Sequence, residues 1–178
     1  MRIAIVFATT EGQTAKVAQR AAATLEALGH APSVIEAAAA TPPDVEAADA
    51  AILAGSVHLS RFQSDLGDFA RKASGPLAAR PVLFLPVSLS AAGDDAGDWA
   101  GLEAAVARFL SSAGLDHASV EHVAGAFRFT RYGRLKARLM RWVGARRGQK
   151  LDPGHDRELT DWDALDAALH DSSARLGT

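Results

Sequence analysis

Short, continuously apolar runs alternate with longer stretches of helical period along most of this chain. Ile3 to Phe7, Ala50 to Ala54, Val82 to Val87 and Val120 to Phe127 read as strands, with Ala31 to Ile35 as a weaker candidate. Their hydrophobicity is unbroken rather than alternating, which suits strands covered on both faces. Between them, Val17, Ala21, Leu25 and Leu28 repeat at helical spacing, and Gly29 is placed as a C′ stop. Phe62, Leu66, Phe69 and Ala73 form a second stripe, followed by Ser74-Gly75-Pro76. Leu102, Val106, Phe109 and Leu110 form a third, closed by Gly114. A last helix is predicted from Thr160-Asp161-Trp162-Asp163, a capping-box-like start with Asp in the usual Glu position, through Leu165 and Leu169. The succession, with only a short turn between the second and third strands, predicts a parallel, doubly wound α/β sheet. Residues 128–159 do not fit the alternation and read as an insertion before the last helix of a single domain spanning 1–178.

Composition narrows the chemistry. With 178 residues, 48% hydrophobic and 22% charged, the chain can bury a sizeable core. It has no cysteine, which removes disulfides, zinc–thiolate sites, iron–sulfur clusters and thiol nucleophiles. A redox role must then come from a bound organic cofactor. No run approaches the ~20 apolar residues of a membrane span, and the first apolar run is too short for a secretion signal. A cytoplasmic protein is the expectation. His30, His117, His122, His155 and His170 show no metal-ligand spacing, and Asp94, Asp95 and Asp98 read as a solvated polar loop, so no metal site is predicted.

The first strand runs into Ala8-Thr9-Thr10-Glu11-Gly12-Gln13-Thr14, and a helix begins near Gln13. In an open α/β sheet, ligands bind beyond the carboxyl ends of the strands. A helix N-terminus there offers unpaired N–H groups and the positive end of the macrodipole to a phosphate. Thr9, Thr10 and Thr14 add hydroxyls, and Gly12 permits close approach. Neither G-x-x-x-x-G-K-[ST] nor G-x-G-x-x-G is present, which argues against a P-loop nucleotide site and a dinucleotide site. The remaining alternatives are an ordinary capped βα turn and a phosphate loop of neutral donors, which resembles the FMN loop of flavodoxins.

On that resemblance, the loop after the third strand, Gly55-Ser56-Val57-His58, would flank the flavin ring, with Ser56 and His58 as hydrogen-bonding groups. The loop Ser88-Leu89-Ser90-Ala91-Ala92-Gly93 would lie on the ring's other side. Neither carries Trp or Tyr, so the ring would rest on aliphatic groups, His58 or Phe62, or lie partly open to a substrate.

Four segments in order point to one family. They are Phe7-Ala8-Thr9-Thr10-Glu11-Gly12-Gln13-Thr14; Gly55-Ser56-Val57-His58 with Phe62 and Phe69; Ala124-Gly125-Ala126-Phe127-Arg128-Phe129 with Tyr132; and Thr160-Asp161-Trp162. Together they resemble the menaquinone-dependent protoporphyrinogen IX dehydrogenases, flavodoxin-like enzymes of bacterial haem synthesis. The resemblance spans nearly the whole chain, and its later motifs are the more specific because ordinary flavodoxins lack them. It implies a flavodoxin-like five-stranded parallel sheet of order 2-1-3-4-5 with helices on both faces. It further implies bound FMN, protoporphyrinogen IX as electron donor, and menaquinone or ubiquinone as acceptor. It names no protein acid or base. Two departures lie where a porphyrin's propionates would approach. His58-Leu59 replaces a basic residue followed by Tyr, and Gly93-Asp94-Asp95-Ala96-Gly97-Asp98 is acidic where relatives tend to be basic.

Nine of the 19 Lys and Arg residues fall between Arg128 and Lys150, a stretch without Asp or Glu. From Arg134 to Arg147 the spacing predicts a helix with Leu135, Leu139, Trp142 and Val143 on one face and Arg134, Arg138 and Arg141 on another. Such a helix can lie on an anionic membrane surface. Arg128, Arg131, Arg134, Arg138 and Arg141 can instead receive propionates as bidentate partners. A third reading packs the apolar face on the domain and leaves the arginines solvated. No recognition motif accompanies the charge, so nucleic acid is not an expected partner. The rival functions are an electron-carrier flavodoxin, a nicotinamide-fed quinone reductase, and an interaction domain that has lost its flavin. The oligomeric state is open.

Overall fold

The computed structural model describes residues 1–58, 60–127 and 157–176. Strands β1 (Arg2–Ala8), β2 (Ala31–Glu36), β3 (Ala50–Ser56), β4 (Val82–Ser88) and β5 (Ser119–Val120) form a parallel sheet in the order β2-β1-β3-β4-β5. The expected 2-1-3-4-5 order is therefore observed. The apolar runs of the central strands divide between two faces, as a doubly covered sheet requires. Val6, Leu53 and Phe84 point to one face, packing with Leu66 and Phe69 of α3 (Ser64–Lys72) and Val106 and Phe109 of α5 (Ala96–Ala113). Ile3, Ile5, Ile52, Leu83 and Leu85 point to the other. There they meet Val17, Ala21 and Leu25 of α1 (Gln13–Ala27) and Leu165 and Leu169 of the last helix, α6 (Trp162–Leu176). Each large side chain so buried contributes about 1.5–3 kcal/mol before entropy is counted.

Helix α1 ends as its sequence predicts. The N–H of Gly29 donates to Glu26 O at 2.9 Å and that of His30 to Leu25 O at 3.0 Å, the paired bonds of a Schellman stop. The turn expected between β2 and β3 contains a short helix, α2 (Pro42–Glu46), whose Asp44 carboxylate accepts from the Thr41 amide at 2.7 Å. Ser74-Gly75-Pro76 does not break the chain but opens α4 (Ser74–Ala78), because Pro is tolerated in a helix's first turn. Arg80 ties both short helices down, donating to Glu46 O at 2.7 Å and Pro76 O at 2.9 Å. The acidic run near Asp94 is no simple solvated loop. Asp95 caps α5, accepting from the Asp98 amide at 2.8 Å, where negative charge suits the helix dipole.

The predicted strand Val120–Phe127 is divided into three pieces. β5 and β6 (Val123–Ala124) pair with β4 in the same register, Phe84 opposite Val120 and Val87 opposite Val123. At Gly125 the chain leaves β4, and β7 (Ala126–Phe127) pairs antiparallel with β8 (Arg157–Glu158). The last helix is capped one residue later than its sequence suggests, with Asp161 Oδ1 accepting from the Ala164 amide at 2.9 Å. Thr160 is left for another task. The predicted basic helix, with Arg128, Arg131, Arg134, Arg138 and Arg141, lies outside the described residues.

Candidate functional site

The loops after β1, β3 and β4 gather at the carboxyl end of the sheet, where a doubly wound fold binds its ligands. In the first loop, Gly12 stands at the N-cap of α1 with φ of 89°, a left-handed conformation costly for a residue with a Cβ. The Gly12 amide donates to Thr9 Oγ1 at 2.9 Å, so Thr9 braces the turn. Gln13 is 5% exposed, and its Nε2 donates to Thr160 Oγ1 at 2.8 Å. Thr14 is fully buried and its hydroxyl has no hydrogen-bond partner. Beside it, the first-turn amides of α1 lack intrahelical acceptors, as at any helix start. An orphaned hydroxyl among such donors, without Lys or Arg in the loop, is the donor set a phosphate requires.

The second loop is built around two backbone relationships. The Val57 amide donates to Val87 O at 2.9 Å, and His58 and Arg61 exchange N–H···O bonds of 2.9 and 3.0 Å. Ser60 has φ of 59° within this turn. Gly55 makes room for the core: a Cβ there would stand 2.6 Å from Leu66 Cδ2 and 2.9 Å from Phe62 Cδ1. Phe62 packs against Phe84 and Phe109, with ring centroids 5.1 and 5.0 Å away. Phe62 is thus half-buried, packed against the core from the second loop. The third loop is held by Ser88, whose Oγ accepts from the Ala91 amide at 3.1 Å, and by Trp99, whose Nε1 donates to Gly93 O at 2.7 Å. Leu89 and Ser90 lead into a 3-10 turn over Ser90–Ala92. A cavity of about 650 Å³ opens beside this loop, lined by Ala91 to Asp94, Trp99, Ala124, Leu159 and Asp161.

The two late motifs converge on these loops. The Gly125 amide donates to Ser88 O at 2.8 Å, and Gly125 O accepts from the Leu159 amide at 3.1 Å. A Cβ on Gly125 would lie 3.3 Å from the Ser88 carbonyl carbon, so the glycine lets the edge strand close onto the third loop. Thr160 Oγ1 donates to Ala124 O at 2.6 Å. Glu158 joins Lys16 Nζ at 2.7 Å and Trp162 Nε1 at 2.8 Å. Phe127, just before the insertion, and Arg157, near its end, are paired neighbours.

Sequence reasoning placed Thr9 to Thr14, Gly55 to His58 and Ser88 to Gly93 in three loops at one end of the sheet, and the fold brings these loops together. It missed Gln63, at the N-cap of α3, whose amide donates to Thr10 Oγ1 at 3.1 Å and Ser56 Oγ at 2.5 Å. A glutamine at a cap position without a capping bond is a signal only once the helix boundary is known. Among the described residues no group of three or more His, Asp or Glu could hold a metal ion, and no helix is long and apolar enough to cross a membrane.

A doubly wound sheet with a phosphate loop of neutral donors and two further loops beside it defines a flavin-binding α/β domain. The chain belongs to the Flavodoxin domain family, which matches residues 4–153. It is 24% identical over 165 residues to a protein named protoporphyrinogen IX dehydrogenase [quinone] from Escherichia coli (strain K12), covering 93% of this chain and 91% of that protein. Among solved structures it is similar to a flavodoxin from the domain Archaea, with a TM-score of 0.59 and 11% identity over the whole of both chains. A Pseudomonas aeruginosa flavodoxin gives a TM-score of 0.52 at 16% identity, over 83% of this chain and 97% of that one. FMN is the cofactor of this family, and the unpartnered Thr14 hydroxyl and cation-free loop fit its phosphate. Together these findings support an FMN flavoprotein of the oxidoreductase kind.

Proposed function

We propose that the chain oxidises protoporphyrinogen IX to protoporphyrin IX through FMN and passes the electrons to a membrane quinone, menaquinone or ubiquinone. The observation that carries this reading is the origin of the insertion. Its two ends pair at Phe127 and Arg157 and are hydrogen-bonded to the third loop through Gly125. A shuttle needs no extra arm at its cofactor, whereas an enzyme with a large polycarboxylate substrate and a bilayer acceptor does. The named relative, similar over most of both chains, supports the same substrate pair.

In this reading Thr14 and the first-turn amides of α1 hold the phosphate, while Thr9 and Gly12 hold the turn. Ser56, Val57 and His58 border one side of the ring, and Ser88 to Gly93 the other. The arginines of the insertion receive the propionates or the anionic membrane surface on the cytoplasmic side. When bound, FMN supplies the redox chemistry, taking electron pairs from the porphyrinogen and yielding them to the quinone. The protein's own contribution is orientation and exclusion of water.

The test is anaerobic mixing of FMN-loaded protein with protoporphyrinogen IX, followed by a soluble quinone. Bleaching of the flavin by the porphyrinogen and its recovery with quinone are expected. A flavin that stays oxidised would overturn the proposal. The flavodoxin fold favours a second reading, an electron carrier, which would be reduced by a reductase but not by the porphyrinogen. Reduction by NADPH alone would point to a quinone reductase.

A further inference from the structure

We infer that Gln63 is a cofactor-positioning residue that recognises the hydroxyl-bearing chain joining the phosphate of FMN to its ring. The inference rests on FMN as the cofactor of these loops, and not on the substrate proposed above.

Gln63 spans two of the three loops. Its amide nitrogen donates to Thr10 Oγ1 in the phosphate loop at 3.1 Å and to Ser56 Oγ in the ring loop at 2.5 Å. An amide nitrogen has two protons, and both are used. Each hydroxyl thereby has one lone pair occupied, and its own proton must be given to something else. The amide oxygen is buried and has no hydrogen-bond partner. A buried acceptor left without a donor costs about 1–3 kcal/mol, so an Oε1 held this way fits a ligand that donates.

The group that satisfies this arrangement must accept from two hydroxyls and donate to one amide oxygen. It must also bridge a phosphate loop and a ring loop. A chain of neighbouring hydroxyls does both, because each hydroxyl donates once and accepts twice. The ribityl chain of FMN is such a polyol. A phosphate offers acceptors only, and an aromatic ring edge does not follow from one loop to the other. Gln63 also has no competing duty as a cap, since its side chain makes no capping bond to α3.

The experiment measures binding by flavin fluorescence quenching with FMN, riboflavin and an FMN analogue whose ribityl chain is replaced by a phosphoalkyl chain. Wild-type protein is expected to prefer FMN over the phosphoalkyl analogue. Gln63→Met is expected to weaken FMN about tenfold while leaving the analogue within about twofold. Equal losses for both ligands would make Gln63 a loop tether only and overturn the inference. Wild-type protein that quenches none of the three flavins would instead remove the FMN reading on which it stands. Gln63→Glu keeps the size and an acceptor oxygen but places a negative charge beside Thr10. Its carboxylate takes up the hydroxyl protons of Thr10 and Ser56, so it is expected to weaken FMN more than the phosphoalkyl analogue, which carries the same phosphate. Equal weakening of the two counts against the inference. A melting curve for each variant checks folding, and Gln63→Glu carries the test if Gln63→Met does not fold.

Discussion

Gln13 and Thr160 lie 147 positions apart and share a hydrogen bond of 2.8 Å, with the amide Nε2 donating to the hydroxyl. The same hydroxyl gives its proton to Ala124 O at 2.6 Å. One side-chain oxygen thus ties the phosphate-loop helix to the edge strand from which the insertion departs. Thr160→Val keeps the shape and removes both bonds, leaving the half-buried Ala124 carbonyl and the buried Gln13 amide without this partner. It is expected to cost about 1–3 kcal/mol in urea unfolding and to lower Tm by several degrees. Unchanged stability would show that water replaces the hydroxyl without loss.

Thr14 separates stability from binding. Its buried hydroxyl has no partner, so Thr14→Val removes an uncompensated polar group without changing shape. The ligand-free protein is expected to gain about 1 kcal/mol. FMN is expected to bind several-fold more weakly, as read by fluorescence titration. A variant that loses stability without FMN would contradict the assignment of this hydroxyl to the ligand.

Gly55 is predicted to be sensitive for packing rather than for cofactor contact. In Gly55→Ala the new Cβ meets Leu66 Cδ2 at 2.6 Å and Phe62 Cδ1 at 2.9 Å. Overpacking of this kind costs about 1–3 kcal/mol. Calorimetry should show the loss in the absence of flavin. Pairing it with Leu66→Ala, which opens space, should make the two effects non-additive.

Acid should weaken the contact between α1 and α6. Arg20 donates to both oxygens of Asp166, with one bond of 2.5 Å, and Thr24 Oγ1 adds another of 2.6 Å. The Arg20 hydrogen bond, with Thr24 assisting, holds the Asp166 carboxyl below its ordinary value. A carboxyl depressed on folding stabilises above its unfolded value, near pH 4, and that contribution is lost as pH falls through the folded value. The stability difference between wild type and Asp166→Asn should therefore be full at neutral pH and shrink below about pH 4. A difference independent of pH would rule out the ionised pair as its source.

The paired ends of the insertion make it removable. Phe127 lies opposite Arg157 in an antiparallel ladder, so Asn-Gly in place of residues 128–156 can close the hairpin. The shortened protein is expected to fold and bind FMN. It should no longer float with anionic liposomes, and porphyrinogen should no longer bleach its flavin. Equal flotation of the full and shortened chains would remove the electrostatic membrane role.

Apolar runs and helical periods read from the sequence were enough for β1 to β4, for the bodies of α1, α3, α5 and α6, and for the three loops at the sheet's carboxyl end. These features depend on which side chains must leave water, and neighbours in the chain decide that. Ala124-Gly125-Ala126-Phe127 is apolar throughout, so periodicity could not show that the strand changes partner at Gly125. Only the closeness of Ser88 and Leu159 settles that. Thr160 and Asp161 are both good caps, and the choice fell to Asp161 because the Thr160 hydroxyl had Gln13 and Ala124 as partners. Gly55 is a glycine because of Leu66 and Phe62, and Gln63 matters because Thr10 and Ser56 converge on its amide. The sequence by itself determined the layers of the fold and a phosphate loop at a helix start. Tertiary structure decided which polar groups meet there, because a hydrogen bond depends on distance in space and not on spacing along the chain.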